Sequence, residues 1–373
     1  MPCCSGRVSW RRTISQGITV DTQFLKKLLD TPAPSGFETA AARLWREEAE
    51  SFADTVDSDV SGNSVAILNP EGSPRIMLAG HIDEIGVMIT HVDDEGFLYF
   101  EGIGGWDPQV LVGQRIRLLT RAGHLIGVVG KKPIHLIKQE EKDKVSKIED
   151  LWIDIGAKDR DTAVERGVRV GDPGVIDAQL VDLGDDLIAS RSIDNRIGAF
   201  VVLEALRILS KKKKKSKAMV AAVATTQEEI GYAGGGARTS AYTVNPHIAL
   251  VVDVTFASDA PGIEKKTVGE HKLGSGPVIT RGSATNARLA ERLAEIAEKE
   301  KIPFTLIAAP RYTATDADAI YLSRHGVATA VLSVPNRYMH SPNEIVSVRD
   351  VEATARLIAT FCQNVAESDN WLP

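Results

Sequence analysis

The chain is short of cysteine and aromatics, has no strong excess of either charge and contains no long uninterrupted apolar run. Each shortage removes a class of protein. Three cysteines cannot build a disulfide framework. Cys3 and Cys4 are adjacent and pair poorly with each other, and Cys362 falls in line with Val351, Ala355, Ile358 and Val365 at helical spacing, as a buried core thiol does. A reducing compartment, hence the cytoplasm, is the simplest setting. A net charge of -6 gives no reason to expect nucleic acid or an anionic membrane as partner. Nothing in the sequence is long and apolar enough to span a bilayer. Met1 to Gln16 lack the apolar core of a secretory signal, and residues 1–18 read as a loosely ordered extension.

What is present is a chain of 373 residues, enough for one large α/β domain and a smaller one. Asp21 caps a helix with Phe24, Leu25, Leu28 and Leu29 on one face, and a second helix carries Ala41, Leu44 and Trp45. Arg75 to Gly80 then reads as a strand running into His81. Between residues 92 and 177 short β-rich pieces alternate with glycine, the texture of a small inserted β domain. The α/β pattern resumes with a helix over Arg196 to Leu209 and continuous apolar runs at Met219–Ala224, Ile248–Val252 and Val327–Val334, as in strands buried on both faces. Asn286 to Lys299 is helical, Thr315 caps a helix ending near Gly326, and Ser347 with Asp350 forms a capping-box start for the last helix. Strands alternating with helices predict a mostly parallel central sheet. The run Lys211–Lys215 reads as a solvated loop, with no aromatic residue interleaved.

The chemistry collects where strands end. One predicted strand ends in His81, with Asp83 two residues on; another leads to Glu228 and Glu229; a third ends in Asp253. Ligands of open α/β sheets gather beyond the carboxyl ends of the strands, so three strands deliver imidazole and carboxylates to one edge. That donor set, without thiolate, suits zinc, cobalt or manganese. In an extended segment His81 and Asp83 point the same way, which lets Asp83 accept the imidazole's second N–H and fix its tautomer. Glu228 and Glu229 diverge, so one is free to bind metal while the other moves a proton. Blander readings stand beside these: Asp194 as a simple helix N-cap, Asp253 as a strand-ending turn residue, Glu228–Glu229 as a solvated pair. Gly234–Gly236 lacks the spacing of a phosphate loop and reads as a tight turn beside the site. His91, His124, His135, His247, His271 and His325 have no carboxylate-bearing motif around them and read as ordinary histidines.

The stretches Gly80-His-Ile-Asp-Glu-Ile-Gly86, Ser192-Ile-Asp-Asn-Arg-Ile-Gly198, Thr226-Gln-Glu-Glu-Ile-Gly231, Val252-Asp253, Thr315-Asp-Ala317 and Arg337-Tyr-Met-His-Ser-Pro342 occur in one order. In these the chain resembles the M42 family of dinuclear metallo-aminopeptidases, from about Thr19 to the last helix. The resemblance implies an α/β fold: a three-layer α/β/α metallopeptidase domain over residues 19–91 and 178–373, with an inserted small β-barrel (PDZ-like) dimerisation domain over 92–177. It implies two divalent metal ions per subunit, zinc or cobalt with manganese as a third choice. His81 and Asp253 would complete one site, Glu229 and His340 the other, and Asp194 would bridge them. It also implies Glu228 as general base, Asp83 as the residue orienting His81, peptide substrates cleaved at a free N-terminus, and homo-oligomers built from dimers up to a dodecamer. Arg311-Tyr-Thr-Ala314 departs from the glycine-rich approach that precedes the family's Thr-Asp-Ala. An endo-β-glucanase-like hydrolase and a non-catalytic scaffold of the same fold are the competing readings.

Overall fold

The computed structural model describes residues 20–139, 143–231 and 234–372. Cys3, Cys4 and the extension read over residues 1–18 lie outside them. In chain order the strands are β1 (Thr55–Ser58), β2 (Ser64–Leu68), β3 (Arg75–His81), β4 (Gly86–Val92), β5 (Leu98–Ile103), β6 (Arg115–Thr120), β7 (Gly123–Gly130), β8 (Trp152–Asp154) and β9 (Pro173–Ile176). They continue as β10 (Val181–Gly184), β11 (Leu187–Ser190), β12 (Met219–Thr225), β13 (Ile248–Phe256), β14 (Val278–Gly282), β15 (Thr305–Ala309), β16 (Ala328–Asn336) and β17 (Glu344–Ser347).

Eight strands form one mixed sheet in the order β1-β2-β12-β3-β13-β16-β14-β15. Its centre, β12-β3-β13-β16, is parallel, whereas β2 joins β12 and β14 joins β16 antiparallel. Alternation along β3 explains the layering: Ile76 and Leu78 face one hydrophobic core, Met77 and Ala79 the other. Helices Thr22–Asp30, Thr39–Ala49, Ile193–Ser210, Ala287–Lys299 and Val348–Asn364 cover the first face. Gly235–Val244 and the single turn Ala317–Ile320 cover the second. The result is the expected three-layer arrangement. Strands β4 to β9 close into a separate antiparallel barrel, which the chain enters at Gly86 and leaves at Ile176, around its own core of Ile89, Phe100, Leu118 and Ile153.

Local capping accounts for the start of the first helix. The Asp21 carboxylate accepts the Gln23 and Phe24 N–H groups, and Phe24, Leu25, Leu28 and Leu29 are buried. Cys362 is fully buried beside Val351, Ala355 and Ile358, and burial pushes its thiol pKa up. Lys211–Lys215 is exposed. Two expectations fail. The Ser347 side chain makes no capping hydrogen bond, and Asp350 turns its carboxylate to the Gly274 and Gly276 N–H groups, at 2.7 and 2.6 Å, instead of reaching back to the Ser347 N–H. The helix expected from Thr315 is one turn, Ala317–Ile320, although Thr315 Oγ1 does accept the Ala317 N–H at 3.1 Å.

Two motif glycines are set by close approach. A Cβ on Gly80 would lie 2.4 Å from the Gly198 carbonyl carbon, and one on Gly198 would lie 2.6 Å from the Val252 oxygen. The helix Ile193–Ser210 therefore rests its backbone directly on β3 and β13, which carry His81 and Asp253. Trp45 locks the same helix from outside, its indole N–H donating to the Ala199 carbonyl at 2.8 Å.

Candidate active site

His81 is the last residue of β3, Asp253 lies on the adjacent β13, and Glu228–Glu229 follow β12 on the other side of β3. Asp194 arrives at the start of Ile193–Ser210. Its backbone is not helical (φ -74°, ψ 111°), and its peptide bond to Asn195 is cis. Asp194 is not the helix cap; the Asn195 Oδ1 accepts the Gly198 N–H at 3.0 Å instead. That frees the Asp194 carboxylate. His340 comes from the loop after β16, at positive φ.

These residues converge. One Asp194 oxygen lies 3.3 Å from His81 Nε2 and the other 3.3 Å from His340 Nε2. Asp253 Oδ1 is 4.0 Å from His81 Nε2, and Glu229 Oε2 is 3.4 Å from His340 Nε2. Two overlapping groups result, His81–Asp194–Asp253 and Asp194–Glu229–His340, each with donor atoms within 4.8 Å of one another. All five residues read from the sequence as metal ligands are brought together, with Asp194 common to both groups. Glu228 borders them, Oε2 3.8 Å from His81 Nε2. Asp83 sits behind. Its Oδ1 is 3.3 Å from His81 Nδ1, and its two oxygens accept the Glu228 and Glu229 N–H groups at 3.2 and 3.1 Å. It therefore faces the imidazole and clamps the Glu228–Glu229 loop at once.

The electrostatics are those of a negative cluster short of cations. Among the described residues, the only ion-pair partners of Asp194, Glu228, Glu229 and Asp253 are the two imidazoles. Burial, with Asp253, Asp316 and Glu229 nearby, pushes the Glu228 pKa up to about 9 despite His81. Burial raises Asp253 and Glu229 as well, with Asp194 adding to both. Hydrogen bonds to Asp194 and Glu229 raise His340 to about 11. Burial opposes charge on His81, but Asp194 and Asp83 outweigh it and its pKa lies well above the usual value. Asp194 is the exception among the carboxylates: against burial, the two imidazoles hold it below its ordinary range. Asp316, accepting from the Thr225 hydroxyl, is raised to about 6 by burial.

A divalent ion fits this donor set. It is all nitrogen and oxygen, its atoms are close enough to share a cation, and Glu229 Oε1 is buried without a hydrogen-bond partner among the described residues.

Several working residues escaped the sequence reading. Glu344, buried, accepts the Asp194 N–H at 2.9 Å and the His340 N–H at 2.8 Å, so one carboxylate sets the backbone of two candidate ligands. The Gly105 carbonyl, just past β5 of the barrel, lies 2.8 Å from His340 Nδ1. An N–H there leaves Nε2 as the lone pair facing the carboxylates. Glu84 pairs with Arg191 and Arg196, both buried. The spacing His340-Ser-Pro-Asn-Glu344 was the available signal for Glu344; nothing local marked Gly105. Gly234–Gly236, read as a tight turn, is instead the N-cap and first two residues of the helix Gly235–Val244; the close backbone approach holds, since Gly236 donates to the Thr226 carbonyl at 2.8 Å and a Cβ there would meet Asn63 Oδ1 at 2.0 Å. Of the other histidines, five are exposed and His271 is buried against the Thr305 hydroxyl.

Comparison with known proteins places the chain among aminopeptidases. A lysyl aminopeptidase from Pyrococcus furiosus is 37% identical over 353 residues, 94% of this chain and 99% of its own. The solved TET aminopeptidase of the marine sediment archaeon Thaumarchaeota archaeon SCGC AB-539-E09 is 34% identical, covering 92% of this chain and 96% of its own with a TM-score of 0.88. The Pyrococcus horikoshii TET1 peptidase, reported to assemble into a tetrahedron or a large octahedral shell, is 33% identical with a TM-score of 0.81, covering 92% of this chain and 99% of its own. The family model described as M42 glutamyl aminopeptidase matches residues 62–357, and the chain belongs to that family of peptidase hydrolases.

Proposed function

We propose that the chain removes residues from the free N-terminus of peptides, using two divalent ions. His81, Asp194 and Asp253 would hold one ion and Asp194, Glu229 and His340 the other. The observation that carries this is Asp194, whose two oxygens each face a different imidazole at 3.3 Å. Bound there, such ions would supply an acidified water and polarise the scissile carbonyl. Glu228 is the one cluster carboxylate outside both donor groups. The positive charge of bound ions would favour the ionised form of Glu228, whose carboxylate would take the proton from the attacking water and return it to the leaving amine. Asp83 keeps His81 and the Glu228 backbone in place for that transfer. Zinc and cobalt suit the donors best, and manganese is accommodated by the same set.

A glycosidase working with two carboxylates has no role for His81 and His340, and a disabled scaffold would lack a ligand or the base. Neither competing reading is favoured. Association into larger shells is supported by the P. horikoshii relative, and dimer formation through the barrel by exposed Ile126 and Val128 on β7 with Ile134 and Leu136 in the turn that follows it. No described helix is long and apolar enough to cross a membrane, and a buried, unpaired Cys362 fits a cytoplasmic setting. The test is cleavage of one peptide in free and N-acetylated forms with cobalt or zinc supplied. Cleavage of the free form alone supports the proposal. Equal cleavage of both forms, or activity surviving a chelator, refutes it.

A further inference from the structure

Beside the carboxylate cluster lies a cavity of about 340 Å³, within the size range of small-ligand sites. Its floor is the sheet face that carries Asp253. In register, Asp253 neighbours Ser333 of β16, and Thr280 of β14 neighbours Ile307 of β15. Residues two apart on a strand share a face, so Val331 joins Ser333 and Ala309 joins Ile307. This stretch of sheet extends past the single turn Ala317–Ile320 and is left open to the cavity. Val254, Phe256 and Met339, with Ala314 and the hydroxyl-bearing Thr255, Thr313 and Thr315, complete the wall.

We infer that this cavity receives the side chain of the substrate's N-terminal residue and selects neutral aliphatic side chains of leucine or methionine size over charged ones. The inference rests on the aminopeptidase reading and deepens it. Beyond the cluster itself, the wall contains no Lys, Arg, Asp or Glu among the described residues. A glutamyl side chain entering it finds no cation, and a lysyl ammonium finds no carboxylate past the cluster. An unpaired charge taken out of water is strongly disfavoured, while an aliphatic side chain gains by burial against Ile307, Val331, Val254 and Met339. Thr255, Thr280, Thr313, Thr315 and Ser333 add polar but uncharged surface. The glutamyl description of the family and the lysyl name of the P. furiosus relative therefore do not describe this wall.

The test uses the full chain loaded with cobalt and a series of aminoacyl p-nitroanilides: leucyl, methionyl, alanyl, lysyl and glutamyl. Leucyl and methionyl substrates should exceed lysyl and glutamyl by at least about tenfold in kcat/KM, the scale of discrimination by a small pocket. Ile307→Glu places a carboxylate on the floor and should narrow the leucyl-to-lysyl ratio by about tenfold or more. Ala309→Glu, on the same strand face, is the second variant should the first not fold. A lysyl or glutamyl optimum in the unaltered chain overturns the inference and leaves the peptidase reading intact. So does a leucyl-to-lysyl ratio that neither folded variant changes. Hydrolysis of no substrate in the series overturns the aminopeptidase reading, and this inference with it.

Discussion

Two regions of the molecule bury carboxylates side by side and treat them in opposite ways. Glu84, three residues past His81, is compensated: Arg196 Nη2 lies 2.6 Å away, Arg191 closes from the other side, and the Ala33 N–H donates at 3.0 Å. The two guanidiniums outweigh burial and hold its pKa below the ordinary range. The guanidiniums go on to bind the Leu28, Asp30 and Ile82 carbonyls at 2.8, 2.9 and 3.1 Å. That knits the first helix, the end of β3 and the start of Ile193–Ser210 into one rigid seat. In the neighbouring cluster, Asp194, Glu228, Glu229 and Asp253 share two imidazoles and, among the described residues, no arginine or lysine. The fold can supply counter-charge at this depth, since it does so at Glu84. Where it withholds it, the missing positive charge is the ligand's to bring.

The largest expected effect tests the cluster's chemistry. Glu228→Gln keeps the shape and removes the proton acceptor; kcat should fall by about 10²–10⁴ while elemental analysis still finds the full metal content. Loss of metal instead would make Glu228 a ligand. Next comes the compensated region. Glu84→Gln leaves two buried guanidiniums short of a partner and should lower stability by about 3–5 kcal/mol, in denaturant titration, with or without metal. Glu344→Gln, which weakens the hold on the Asp194 and His340 backbones, should reduce metal affinity by about 10–100-fold, read by calorimetry, with the second ion lost first. Asp253→Asn sharpens the contrast most directly. In the metal-free chain, where burial already favours the neutral acid of Asp253, it should change stability by no more than about 1 kcal/mol, whereas in the loaded chain it costs affinity.

The smallest effect lies outside both regions. Burial raises the Asp350 pKa from 3.8 to about 6 against the Gly274 and Gly276 N–H groups. A carboxyl raised on folding contributes stability that is full below its unfolded pKa and lost as pH rises through the folded one. The chain should therefore lose on the order of 1–3 kcal/mol between about pH 4 and 6 from this group. Asp350→Asn should not show that loss, so the stability difference between the two should close over this window in parallel denaturant series.

What the sequence disclosed follows the range of the interactions involved. Alternation and apolar runs located the strands, and the residues where those runs ended, His81, Glu228, Glu229 and Asp253, are the ones the sheet gathers. Capping chemistry was legible where it was local, at Asp21, and misled where a distant group competed, at Ser347 and Asp350. The rest is long-range. No pattern near Gly105 says that its carbonyl meets His340, 235 residues away. The same holds for Glu344 and Asp194, 150 apart. Gly86–Val92 follows Asp83 and Glu84 as an ordinary strand, and only its pairing with β5 and β9 places it in the barrel.

The measurement that tests this account most directly is titration of the metal-free chain with cobalt or zinc, followed by calorimetry, elemental analysis and thermal unfolding. Two ions per chain should bind, with a rise in the unfolding midpoint as the cluster's charge is neutralised. His340→Ala should bind one. No binding, or binding that leaves the unfolding midpoint unmoved and the His340→Ala stoichiometry unchanged, would contradict it.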